Sequence, residues 1–205
     1  MELLSYIYLD KLQPQFAALT AAQAEGDIPI SGMAAMWLEI QPGIEINNIL
    51  DIALKATNIK PAILFEEREY GIVEFHSEAQ DEVLTAGSKI LEYYNLDLQH
   101  IKKPKILTSQ IITNISDYHA QIINRKADGS LLIPGKSLYI FEVQPATWST
   151  LAANEAEKAV DITLIHYRWR GRFGRLHLSG TEAQVKAAKD AVEQLFTKLT
   201  SNIKC

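Results

Sequence analysis

Two short stretches concentrate the charge chemistry of this chain: FEEREYG (residues 65–71) and RWRGRFG (residues 168–174). The first sets Glu66, Glu67 and Glu69 around Arg68, and the second carries Arg168, Arg170 and Arg172 with no acid. A carboxylate beside a guanidinium pairs reversibly, and clustered guanidinium groups draw phosphates and carboxylates. Elsewhere, His76, His100, His119, His166 and His177 show no metal-ligand spacing of the H-E-x-x-H kind, and no G-x-S-x-G elbow occurs. GSLLIPGKS (residues 129–137) imitates a phosphate loop, but five residues separate its glycines where four are required, and no helix is expected after it. The expectation is a protein without catalytic residues, metal or cofactor. Alone, each charge cluster reads as the solvated end of a hairpin.

Composition narrows the partners. The 205 residues are 47% hydrophobic and 22% charged, which is globular composition, and the net charge of −5 disfavours a general nucleic-acid or anionic-membrane partner. RWRGRFGR could stack on RNA bases, a reading opposed by that acidic balance and by the matching acidic cluster. The opening MELLSYIYLD has no basic leader, and no apolar run approaches the roughly 20 residues that span a bilayer. Cys205 is the single cysteine, so no intrachain disulfide can form. These features point to a soluble cytosolic protein.

The two clusters occupy equivalent places in a repeat. WLEIQPG (residues 37–43) echoes IFEVQPA (residues 140–146), and a shift of 103 superimposes Glu39 on Glu142 and Pro42 on Pro145. The same shift pairs Gly26 with Gly129, Gly32 with Gly135, Lys55 with Lys158 and Gly71 with Gly174. The chain is a tandem duplication, and the polar HIKKPK stretch (residues 100–105) divides it into domains 1–103 and 104–205.

Each half predicts the same elements. A strand over 3–9 or 105–112 leads to a helix over 13–24 or 116–124, then a short extended piece at 28–30 or 131–133. Strands over 35–40 and 138–143 end at Gln-Pro, because proline cannot donate to a ladder. A helix follows, seamed by Ile46, Ile49, Leu50 and Ala53 in one copy and by Ala152, Ala153, Ala156 and Ala159 in the other. Strand pairs then flank the charge clusters. The last helices open on SEAQ (residues 77–80) and TEAQ (residues 181–184), two expected capping boxes offset by 104, which implies one inserted residue. The fold class is α+β, with helices on one face of each antiparallel sheet.

The segments AEKAVDITLI (residues 156–165) and GRFGRLHLSGTEAQVKAAKDAV (residues 171–192) resemble the bacterial microcompartment shell domain. ALKATNIKPAILF and REYGIVEFHSEAQDEVLTAG match it more loosely in the first half. The extra strand and helix ahead of each core look like the circularly permuted, ferredoxin-like form. SYIYLDKLQ, EIQPGIEIN and SQIITNISDYHAQIINR are most similar to the double-layered type of cyanobacterial carboxysomes, and more distantly to the ethanolamine-type tandem shell protein.

The resemblance implies a non-enzymatic shell tile: a pseudo-hexameric homotrimer in the shell of a cytoplasmic microcompartment. The two hairpin tips would alternate around a central pore, with Glu67 and Arg68 gating it and Glu69, Arg170, Gly171 and Arg172 beside them. Anionic metabolites such as sugar phosphates would transit. Lys55 and Lys158 would lie at the tile edge against other hexameric shell proteins, although each also suits a helix C-terminus as a cation. Two trimers stacked face to face would enclose a chamber. The rival reading is a small-molecule-binding regulatory module of two ferredoxin-like domains.

Overall fold

In the strand Ala34–Gln41 every residue from Ala34 to Ile40 is buried, so this strand is covered on both faces. That strand anchors the first of two compact units, Met1–Lys102; the second begins at Lys103. The computed structural model describes residues 1–202, and Cys205 lies outside them.

The first unit runs β1 (Glu2–Leu9), α1 (Pro14–Ala21), β2 (Ala34–Gln41), α2 (Ile46–Ala56), β3 (Lys60–Glu66), β4 (Gly71–Ser77) and α3 (Gln80–Tyr94). The second repeats it as β5 (Lys105–Ile112), α4 (Asp117–Asn124), β6 (Ser137–Gln144), α5 (Trp148–Ala159), β7 (Thr163–Arg168), β8 (Gly174–Gly180) and α6 (Glu182–Asn202). The sheets order as β1-β2-β4-β3 and β5-β6-β8-β7, antiparallel throughout. Both Gln-Pro bonds are cis.

The expectation of helices on one face is corrected here. Ala34, Met36, Leu38 and Ile40 pack with Ile46, Ile49 and Ala53 of α2 and with Val83, Ala86 and Ile90 of α3. In the second unit Phe141 meets Phe196 of α6 edge-on at 5.2 Å, while its sequence neighbours Leu138 and Ile140 pack on the other side with Ala120 and Ile123 of α4. Period-two alternation sends these sets to opposite faces, so two long helices cover one face and a short helix the other. In α1, Phe16, Ala17, Leu19 and Thr20 are buried.

The pieces at 28–30 and 131–133 form no strand. The chain just ahead of them caps the outer strand instead: Glu25 and Gly26 donate to the Ala62 carbonyl, and Gly129 and Ser130 donate to Ile165 and Leu164. A β-carbon on Gly26 would overlap the Pro61 carbonyl, so only glycine fits this crossing.

One capping box forms and the other does not. Gln184 accepts from the Thr181 amide at 2.8 Å through its side chain, and its own amide donates back to the Thr181 hydroxyl at 3.3 Å. Ser77 still belongs to β4, the helix is capped at Ala79, and the Gln80 side chain donates to the Asp10 carbonyl. The buried seams Val83/Ala86/Ile90 and Val185/Ala188/Val192 are therefore related by 102, and the strand-to-helix link is one residue shorter in the second unit, not longer. Thr181→Ala should lower stability by about 1 kcal/mol. Ser77→Ala should lower it less, a contrast readable from denaturant midpoints at fixed protein concentration.

Candidate functional site: the two hairpin tips

The β3–β4 and β7–β8 hairpins carry the two charge clusters at their tips, and the two tips are built differently. In the first, the Glu67 amide donates to the Tyr70 carbonyl at 2.9 Å, closing a tight four-residue turn. A β-carbon on Gly43 would overlap the carbonyls of both Glu67 and Tyr70. The tip therefore rests directly on the backbone of the short turn Gly43–Glu45 that precedes α2. Glu66 is tied down: Asn47 Nδ2 donates to its carboxylate at 2.7 Å. Glu67, Arg68 and Glu69 are exposed, and their side chains make no hydrogen bond or ion pair among the described residues.

At the second tip the residue matching Gly43 is Ala146, whose side chain forbids the same seat. The loop turns instead through Gly171 at φ +102°, a conformation that side chains disfavour. Arg170 lies 5.6 Å over the Trp169 ring and Arg172 lies 5.4 Å over Phe173, cation–π contacts that hold both guanidinium groups close to the loop. Trp169 is itself buried, so it works as a plinth. Ser149 of α5 donates to the Arg168 carbonyl at 2.9 Å and fixes the base of the loop. Arg168 does not join the tip: it ends β7 and lines a cavity on the α4 side of the second sheet.

Lys55 and Lys158 both fall in the last turn of their helices, as the repeat predicts. Lys55 Nζ pairs with Asp51 at 2.6 Å on an exposed face, and Lys158 lies 3.8 Å from Glu155. Both are compatible with a helix-terminal cation and with an edge contact.

A buried charge network escaped the sequence reading. Glu74 and His76 on β4 are fully buried, 3.2 Å apart, and His76 Nε2 faces Asp27 at 3.4 Å. Asp27 also pairs with Lys60 at 3.3 Å, and Glu74 accepts the Ala62 amide at 3.1 Å. Burial pushes the Glu74 carboxyl up. Burial disfavours the His76 charge too, but bonds to Glu74 and Asp27 overcome it and leave this histidine above its ordinary value. The signal was an acid and a histidine two apart on a strand, which places both on one face. His76, one of the histidines without metal-ligand spacing, lies in a strand and is fully buried.

Two tandem α+β units with one sheet order, each carrying a charged hairpin between its outer strand and the neighbouring inner one, define a duplicated shell-type double domain. Residues 3–100 match the family profile described as the CsoS1D N-terminal domain. The chain is 47% identical, over 95% of its length and 93% of the relative's, to the carboxysome shell protein CcmP of Synechococcus elongatus. It is 37% identical, over 98% of both chains, to the carboxysome shell protein CsoS1D of Hydrogenovibrio crunogenus. Two solved structures are similar throughout. The fused permuted hexameric shell protein MSM0275 from the RMM microcompartment has 42% identity and a TM-score of 0.94, over 97% of this chain and 98% of that one. The double ringed trimeric shell protein MSM0271 from the same microcompartment has 35% identity and a TM-score of 0.92, over 96% of each chain. The chain belongs to the CcmP/CsoS1D family of tandem-domain microcompartment shell proteins.

Because His76 sits above its ordinary value, its stabilisation is complete below about pH 6.5 and fades as pH rises through the folded value. His76→Gln should flatten the decline of the unfolding midpoint as pH rises above about 6.5. Gly43→Ala should displace the first tip or cost about 1–3 kcal/mol, read from the same midpoints.

Proposed function

We propose that three copies of this chain form a pseudo-hexagonal tile of a carboxysome shell, with a central pore gated by Glu67 and Arg68. The observation that carries this reading is that both side chains stand exposed and, among the described residues, unpaired at the first tip, while Glu66 beside them is tethered to α2. Threefold symmetry supplies the missing partners, because each Glu67 can meet a neighbour's Arg68 around the axis. Three exposed pairs at about 0–1 kcal/mol each close such a ring lightly, so a bound ligand can reopen it.

The second tip contributes Arg170 and Arg172 around Gly171, a local positive potential that favours anions such as sugar phosphates despite the net charge of −5. Glu69 adds acid on the first tip and tempers that preference. Lys55 and Lys158 would meet other hexameric shell proteins at the tile rim. The role is structural rather than enzymatic, as the shell-protein names of the relatives support. The 47% identity to a carboxysome protein favours that compartment, and the double ringed relative supports stacking of two trimers face to face.

Light scattering on the purified protein should return three or six times the chain mass, and a monomer would end the proposal. Replacing Glu67 and Arg68 together by alanine should leave the ring wide open in electron microscopy of the assembled particle. A closed ring in that variant would refute gating by this pair.

A further inference from the structure

The segment that follows the short helix is tied to the outer strand by matching backbone bonds in both units, and by different charges. Glu25 and Gly26 donate to the Ala62 carbonyl at 2.8 and 3.0 Å, and Asp27 donates to the Pro61 carbonyl at 2.9 Å. In the second unit Gly129 donates to Ile165 at 3.1 Å and Ser130 to Leu164 at 3.0 Å. A shift of 103 turns Asp27, Lys60, Glu74 and His76 into Ser130, Thr163, His177 and Ser179. The second unit sets Asp128 2.6 Å from His166 instead. There one carboxylate faces the ring, and burial with Arg168 and Arg175 holds that histidine below its ordinary value despite Asp128.

His76 is fully buried with a carboxylate at each ring nitrogen: Glu74 lies 3.2 Å from Nδ1 and Asp27 lies 3.4 Å from Nε2. Both acids are satisfied only when a proton lies in each gap, because a ring nitrogen without one offers a lone pair and accepts. The count is the same wherever the first proton rests along the short line from Nδ1 to Glu74. Remove one proton and one gap must empty. The two acids differ in what that costs them. Glu74 is fully buried, with the Ala62 amide as a second donor at 3.1 Å. Asp27 keeps 40% of its side chain exposed and has Lys60 at 3.3 Å. A buried carboxylate stripped of its donor loses far more than a hydrated one. The remaining proton therefore stays with Glu74, and the Nε2 lone pair turns against Asp27. Lys60 stands across from His76 on β3 and Ala35 on β2, and the buried residues of α1 are Phe16, Ala17, Leu19 and Thr20. Glu74, Asp27 and Lys60 are thus the charged groups around this ring among the described residues.

We propose that Asp27, His76 and Glu74 form a proton-operated clasp, which fastens residues 25–27 to the edge of β3 and releases them when His76 gives up a proton. Once it is released, the three backbone bonds hold the segment alone, helped only by the exposed Asp27–Lys60 pair. Local opening then bares the Pro61 and Ala62 carbonyls of the strand edge. Burial works against the His76 charge, but bonds to Glu74 and Asp27 outweigh it and hold the ring above its ordinary value. The clasp is closed at low pH and lost as pH rises through that folded value. It lies within the first unit and does not rest on the pore reading.

Hydrogen–deuterium exchange on the assembled full-length protein, read at the amides of residues 25–27 from about pH 6 upward, tests the clasp. Protection, corrected for the faster intrinsic exchange at higher pH, should be greatest at the acid end. It should fall by up to about tenfold per pH unit, the limit for a single proton. Residues 129 and 130 should show no such fall, because His166 stays neutral above about pH 6.5. Asp27→Asn should abolish the slope and keep protection above the wild type's at the alkaline end. An amide can accept from Nε2 when that nitrogen is protonated and donate to it when it is not. His76→Gln should abolish the slope as well, and if that buried substitution prevents assembly, D27N decides alone. Constant protection in the wild type, an equal fall at residues 129 and 130, or a wild-type slope surviving in D27N would each overturn the proposal.

Discussion

Backbone pressed against backbone at the foot of each hairpin is the contact on which the rest of this protein is arranged. A β-carbon on Gly71 would overlap the Gly43 carbonyl, and one on Gly174 would overlap the Ala146 carbonyl. Each fourth strand therefore starts directly against the turn that follows Gln-Pro, at a separation no other residue permits. That contact fixes where the second helix of each unit begins, because Ile46 and Ser149 touch the same two glycines. It also fixes where the loop beyond must emerge. Charged side chains can then point outward from a rigid base, with local ties such as Asn47 to Glu66 and Ser149 to the Arg168 carbonyl finishing the support.

On this shared frame the two units have separated chemically. One tip is acidic and seated on glycine, the other basic and turned through Gly171 with its arginines laid over aromatic rings. One sheet face is plugged by Phe16 and Trp37 and hides a Glu74–His76 pair, while the other is hollow and cationic. The backbone tolerates both because the ladder registers are indifferent to what projects from them, provided the face shared with the two long helices stays packed.

Much of this was legible in the residues. The repeat, the strands ending at Gln-Pro and the charged hairpins follow from local pattern, and β5 occupies the residues its composition predicts, Lys105–Ile112. The short helices misled because α1 reads as one more amphipathic segment; nothing local says that it covers the opposite face of the sheet. SEAQ matched a capping motif, but strand pairing with Ala34 keeps Ser77 in the ladder, so tertiary contact overrode the cap. The His166–His177 proximity and the cavity emerge only when β7 pairs with β8, and Arg168 reads as part of the tip until its place at the strand end turns it toward the sheet face. Side chains that act through strand neighbours are hidden from a one-dimensional reading.

Ala146 standing where the first unit has Gly43 has an implication for descent. Had six identical chains made one ring, every altered base in the gene would have struck all six positions at once, and a β-carbon harmful to one loop would have been purged from all. Joining two copies in one reading frame halved that burden. An ancestor so joined could keep a glycine seat in one lobe while the other wandered, and selection could then sculpt a vacant, basic hollow without surrendering its tightly filled twin.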